Sequence, residues 1–496
     1  PNRLRRLPHS PIEPAGFGLF CGMRQVGLFG ILPIHLLRLL IVALGICLLL
    51  ACRKETPMPF PPNPDPKYRQ YGIPFQGIPA TQDIVMYEVN MRAYSPAGNL
   101  QGVIDRLDSI KLLGVNVLWI MPLHPVGILK GINSPYCIRD YKAVGAEYGT
   151  LNDLRRLTDA AHAKGMAVIM DWVANHSSWD HPWMQNEGWH TRNAQGQVVH
   201  PPGTNWLDVA DLNYQNMEMR AAMQDAMLYW LYEANVDGYR CDYADGVPFD
   251  FWQDTWSLVH SIPGRQWILF AEGTRPDHFN AGFDLNFAWS SYSILQQVWQ
   301  GQSPQNFLNN RLIQTNSSPQ GKYWLQFTTN HDESAWDATP VTLFGGLTGA
   351  LAASALTLMS GGPHLLYGSQ EVGTAQNIPF FSRSAINWQA NPGMLRAYRS
   401  MMTFYGSHAA ARSGSLTSYP HPDLAVIHKT LGSDTVLALV NTRNRVVSYS
   451  VPLSLQGSQW RSEFASAMVN PPIAPTLIFP NELTLQPFEI LLLTKP

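Results

Sequence analysis

The stretch GYRCDYADG, residues 238–246, closes an apolar run and carries an arginine and an aspartate two residues apart. On a strand, positions two apart face the same side, so Arg240 and Asp242 point together. Burying both charges is costly unless they pair, or unless their face opens onto a cleft that uses them. Taken alone, the pair reads first as a structural ion pair. Its neighbours along the chain decide the matter.

On both sides of this stretch, short β-branched apolar runs alternate with helical patterns. The runs fall at 83–91, 115–122, 166–173, 235–242, 266–272, 281–288, 322–332 and 362–368. Residues 99–114 and 150–165 read as helices between them, the second with Thr150 as its N-cap and Gly165 at its end. Strands and helices in strict alternation predict an α/β chain closed into a (β/α)8 TIM barrel over 81–405. A doubly wound open sheet is the alternative, but no Gly-rich phosphate loop follows the first run. Residues 177–213, polar and rich in His and Trp, form a loop-rich excursion after strand three, and a loop that long is more often functional than not. Over 406–496 the pattern turns to short alternating strands, which predict a C-terminal antiparallel β-sandwich.

The bulk composition narrows the function classes. The chain is 45% hydrophobic and 14% charged with a net charge of −2, so it is globular and offers nucleic acid no basic face. Its 16 Trp, 19 Tyr and 20 Phe supply rings that sugar-binding clefts use, although most will be core. Residues 1–51 read as a leader: a basic residue, Arg38, precedes an apolar run of about a dozen residues, too short for a comfortable membrane span. The part before Met23 looks like an overextended start. Leu49-Leu50-Ala51-Cys52 resembles the lipobox of bacterial lipoproteins, which implies cleavage before Cys52 and lipid on its thiol. Residues 52–80, rich in proline and polar groups, read as a tether. That places the protein on the bacterial cell envelope, with the membrane touched only through the lipid. Cys137 and Cys241 are then the cysteines left for the fold, too few for a disulfide framework.

In such a barrel the C-terminal strand ends converge on one mouth. Strand three ends at Asp171, with Asn175 and His176 just beyond; strand four at Arg240 and Asp242; strand five at Glu272; strand seven at His331 and Asp332. One buried ion pair is easily structural, whereas a ring of carboxyls on separate strands is not. Carboxyls sharing a site suit glycosidic bond cleavage, because one must be ionised while another holds a proton. Arg240 then serves to keep Asp242 ionised.

At this point DWVANH (171–176), GYRCD (238–242), FAEG (270–273) and FTTNHD (327–332) resemble, in order, the four signature regions of the α-amylase family of glycoside hydrolases. SPYCIRDY (134–141), VADLN (209–213) and LLYGSQEVG (365–373) resemble further family segments. The resemblance implies a retaining α-glucan hydrolase with Asp242 as nucleophile, Glu272 as general acid and base, and Asp332 as the third carboxylate. It implies that His176, His331 and Arg240 bind the reacting sugar, that Tyr136 stacks on it, and that Asp171 supports them. No cofactor is required. A structural calcium ion is implied in many members, and Asn175 and Asp211 match two of its ligands. A glucanotransferase or cyclomaltodextrinase-type enzyme on the same residues is the first alternative, and a non-catalytic glycan-binding lipoprotein the second. Nothing in the sequence bears on oligomeric state. One departure stands out: where family members commonly carry Lys-His, this chain has Asp245 and Gly246. Leaving-side binding is therefore expected to lean on aromatic rings, with Trp179 or Trp183 of the excursion as candidates.

Overall fold

Inward-facing positions along the strands read apolar at the bottom and charged at the top. In the computed structural model, which describes residues 67–466 and 476–496, Met86 precedes Glu88 on β1 (Val85–Val89) and Ile169 precedes Asp171 on β3 (Ala167–Trp172). The same alternation puts Gly238 below Arg240 on β4 (Gly238–Cys241) and Phe270 below Glu272 at the end of β5 (Ile268–Ala271). The barrel is completed by β2 (Val117–Ile120), β6 (Leu285–Phe287), β7 (Tyr323–Leu325) and β8 (His364–Tyr367). All neighbours are parallel and in chain order, with β8 returning beside β1. Between β7 and β8 the closure rests on the bridge Gln326↔His364, where Leu365 N donates to Gln326 O at 2.8 Å. Met86, Trp119, Ile169, Phe270, Leu285, Phe287 and Phe327 fill the interior as one apolar cluster. The barrel is therefore plugged below, and its chemistry is confined to the top.

Each expected run contains its strand. The last part of 322–332 departs from expectation: β7 stops at Leu325, Phe327 to Asn330 continue as irregular backbone, and His331 and Asp332 open the helical turn that follows. The single helix expected over 99–114 is two short ones, Leu100–Ile104 and Leu107–Lys111. The helix Leu151–Ala163 carries the expected Thr150 cap, as a capping box with Asp153. Gly238 is required by its place. At φ +147°, a Cβ there would lie 2.0 Å from the Ile268 carbonyl oxygen of the adjoining strand. Directly after Asp242, Tyr243 takes the left-handed conformation at φ 39°, which non-glycine residues rarely adopt.

Beyond helix Pro392–Ser407 a further short helix, Ala409–Ser413, precedes the strands, so helical structure continues a little past the expected boundary. A six-stranded antiparallel sheet and a two-stranded one follow, sharing a core that includes Leu424, Val426, Leu437, Leu439, Val447, Tyr449 and Leu485. Residues Tyr68–Pro496 make one compact unit. Part of the expected tether belongs to it: the Tyr68 ring meets Tyr229 at 5.4 Å, and Phe75 stacks on His162 at 4.5 Å. At the junction with the C-terminal sheets, buried Lys429 donates to the carbonyls of Ala411 and Arg412. Burial, and next Arg311, push its ammonium down to about 7. Cys137 and Cys241 are free and buried, as expected of small apolar side chains. The leader, Cys52 and residues up to 66 lie outside the described residues.

Candidate active site

Arg240 is the hub of the mouth. Fully buried, it donates through Nη1 to Asp171 at 2.7 Å and to Asp242 at 3.1 Å. Its Nη2 lies 2.9 Å from Glu272 Oε1, an ion pair that lacks hydrogen-bond alignment. The guanidinium plane also sits 5.0 Å from the Trp119 ring and 5.7 Å from that of Tyr136. One planar fork thus gathers the ends of β3, β4 and β5, a geometry lysine cannot reproduce. Glu272 is fixed from its other side as well, since Tyr243 N donates to Oε2 at 2.8 Å.

A chain of hydrogen bonds joins this hub to β1 and β7. Tyr136 Oη reaches Asp171 Oδ2 at 3.1 Å and His331 Nε2 at 2.8 Å, with its ring stacked on the imidazole. On its far side His331 Nδ1 meets Glu88 Oε1 in a very short contact, and Nε2 lies 3.3 Å from Asp332. Burial pulls the His331 imidazole down, but Asp332 and Glu88 outweigh it and raise it to about 9. The ring is therefore a cation through neutral pH. Glu88 escaped the sequence reading, although it obeys the rule that found the others: a charged inward residue at the top of a strand.

Burial, and next the Glu272 charge, push the Asp242 carboxyl well above its ordinary value, against the pull of Arg240. Burial raises Glu272 as well, again opposed by Arg240. The two carboxyls repel each other beside one guanidinium, and their titration belongs to the pair.

With that geometry in place, comparison with known proteins is informative. Residues 76–202 match the alpha-amylase catalytic-domain family model. An alpha-amylase of Lactobacillus plantarum superposes with a TM-score of 0.73 at 26% identity, covering 84% of this chain and 100% of that one. The barrel resembles an alpha-amylase catalytic domain. Alpha-amylase MalA of Haloarcula japonica is 29% identical to it over 322 residues, 60% of this chain and 46% of MalA. The cyclomaltodextrin glucanotransferase of Geobacillus stearothermophilus is 27% identical over 412 residues, 73% of this chain and 56% of that enzyme. The chain thus spans about half the length of these curated relatives.

Within the barrel the other expected residues divide. His176 is at the mouth, buried, and desolvation holds its imidazole down at about 4, so it is neutral. The half-buried Trp183 ring packs on Tyr141, His181 and Trp189 at 5.0, 4.8 and 5.3 Å, against the main apolar cluster. Trp179 is covered by Lys130, whose ammonium lies 3.3 Å from the ring centroid. Trp206 stands edge-on to Tyr243 at 5.0 Å and to His176 at 5.6 Å. No motif flagged it; its position follows from the pairing of His176–Ser178 with Val209–Asp211.

The Asp245–Gly246 departure also takes physical form in the barrel. Asp245 accepts from Thr274 N and Oγ1, both at 2.9 Å, and meets His278 Nε2 at 2.7 Å. It braces the loop that follows Glu272. At Gly246 a Cβ would lie 2.3 Å from Asn175 Oδ1 and 2.5 Å from the Tyr243 ring, so that ring occupies the space a side chain would need. Asn175 and Asp211 lie on adjoining segments, with Leu212 N donating to Asn175 O at 3.2 Å. Among the described residues no three His, Cys, Asp or Glu side chains converge to hold a metal. Asn175 and Asp211 alone fall short of the six to eight oxygens that calcium takes.

Proposed function

We propose that the protein is a retaining α-glucan hydrolase that cleaves α-glucosidic bonds in starch-like oligo- or polysaccharides by double displacement. The observation that carries this reading is the single guanidinium of Arg240 within 3.1 Å of both Asp242 and Glu272. Carboxyls held on one fork are near neighbours, which suits a nucleophile and acid better than a pair with water between them. In the first step the Asp242 carboxylate attacks the anomeric carbon while Glu272 gives its proton to the departing glycosidic oxygen. A glycosyl ester on Asp242 results, and Glu272 is left ionised. Glu272 then takes a proton from water, the water oxygen attacks the same carbon, and the ester bond breaks to restore both groups. Asp332 and the His331 cation grip ring hydroxyls as the sugar flattens.

Asp242→Asn is expected to lower kcat by at least about a thousandfold with the fold intact. Proton NMR of the first-formed product from maltoheptaose should show the α-anomer. Near-normal turnover in that variant, or a β-anomer, overturns the mechanism. A glucanotransferase reading has one specific support, the 73% of this chain matched by the cyclomaltodextrin glucanotransferase. There a sugar hydroxyl replaces water in the second step. Chains longer than the starting maltooligosaccharide, seen at high substrate concentration, would favour it.

The leader supports a bacterial lipoprotein on the cell envelope, since Leu49–Cys52 has the lipobox pattern and a tether-like stretch follows. Mass spectrometry of the mature N-terminus tests this: acylated Cys52 is expected, and cleavage elsewhere overturns it.

A further inference from the structure

Trp336 stands in the open four residues past Asp332, with 51% of its surface exposed. It belongs to the wide π-type turn Glu333–Asp337 at the barrel mouth. Turns of this type are rare and concentrate at functional sites. Phe380 stands nearly perpendicular to the indole at 5.5 Å, and Phe381 at 5.2 Å. Phe380 in turn meets His331 at 5.1 Å and Tyr136 at 6.0 Å. An unbroken run of rings therefore leads from two residues of the reacting centre to an exposed indole. A large apolar surface continuous with a site marks a place where ligand is taken up.

The run is braced from behind. Arg92 Nη1 donates to the Phe380 carbonyl at 3.0 Å, and Asn133 Nδ2 donates to that of Phe381. The two loops are tied together by Ile378 N to Ser334 O and by Asn377 Nδ2 to Ala335 O, both at 3.1 Å. A platform fixed before the ligand arrives loses little freedom on binding. It starts from His331 and Tyr136, and not from Tyr243 and Trp206, the rings beside the proton donor.

We infer that Trp336, backed by Phe380 and Phe381, is a stacking subsite for a pyranose ring of the α-glucan, on the part of the chain that stays on the enzyme when the bond breaks. The inference rests on the α-glucan reading above. An indole face suits the C–H surface of a pyranose, and at two ring steps from His331 it serves a sugar beyond the reacting one.

The test separates the two claims. Glu272→Gln removes the proton donor, so binding is measured without turnover. Maltoheptaose is titrated calorimetrically into that variant, into Glu272→Gln/Trp336→Ala and into Glu272→Gln/Trp336→Phe. The alanine substitution is expected to weaken Kd about tenfold, and phenylalanine to recover most of the loss. Equal Kd values for the first two proteins would overturn the subsite and leave the α-glucan reading standing. Failure of Glu272→Gln itself to bind maltoheptaose would overturn both. Should the alanine variant lose its fold, Trp336→Gln, which keeps bulk without a ring, is read in the same way.

Discussion

Asp245 is held by Thr274 and His278, so its removal acts on the loop that carries Glu272 and not on a sugar. Asp245→Ala is expected to lower kcat roughly ten- to a hundredfold with KM within a few-fold, because a small misplacement of the acid is costly. Asp245→Asn, which keeps an acceptor for Thr274, should fall between. A change confined to KM would return the residue to substrate binding. His331 gives a pH test. Raised to about 9 in the fold against about 6.5 unfolded, it contributes stability that is complete below pH 6.5 and lost as pH rises through 9. On the order of 3 kcal/mol is at stake. The Tm gap between the parent and His331→Gln should therefore shrink from pH 6.5 to 9.5; a constant gap refutes the linkage. At this scale Asp171, Arg240, Asp242 and Glu272 were legible as charges at strand ends, whereas Asp332 lies seven residues past the end of β7 and no strand period places it. Glu88 was equally legible and was passed over. Trp206 and the clamp at Asp245 were not, since both depend on loops whose paths no local pattern specifies.

Element by element, the barrel strands announce themselves through β-branched runs bounded by helix caps, and the short β7 is the poorest match. Its expected length came from counting Phe327–Asp332 as strand, whereas those residues bend inward to deliver His331 and Asp332 to the mouth. The pairing of β4 with β5 depends on Gly238, where any side chain collides with the Ile268 carbonyl. Gly238→Ala is expected to cost at least about 3 kcal/mol in chemical unfolding. Gly196→Ala is the matched control: its φ is also positive, at +77°, but nothing lies within 4 Å of the added Cβ. It should cost only about 1–2 kcal/mol. Similar losses for the two would remove the steric argument.

For the whole molecule, the C-terminal sheets are joined to the barrel over a buried cation. Lys429 is held at about 7, whereas an unfolded lysine keeps its proton to about 10.4. Between those values the unfolded chain binds more protons, so this group's contribution to stability grows as pH rises. Lys429→Met should therefore be more stable than the parent at pH 6 by several degrees in Tm, with the advantage gone by pH 10. An advantage independent of pH would mean that packing, not charge, sets the effect. The barrel-then-sheet order was readable from the change of period after about residue 405. The docking of residues 68–80 onto the barrel was not, because a Pro-rich polar stretch carries no sign of what Tyr68 and Phe75 will meet.

Tyr243 keeps a left-handed backbone, at φ 39°, with a side chain that dislikes it. Such a residue costs about 1–2 kcal/mol, which glycine or asparagine would largely avoid. Yet its N–H secures Glu272 and its ring fills the gap above Gly246. Sorting a mutant library for heat resistance alone would therefore enrich glycine at this position, and sorting for turnover would keep tyrosine. Two selections that agree across most of the barrel pull apart at the residue next to Asp242.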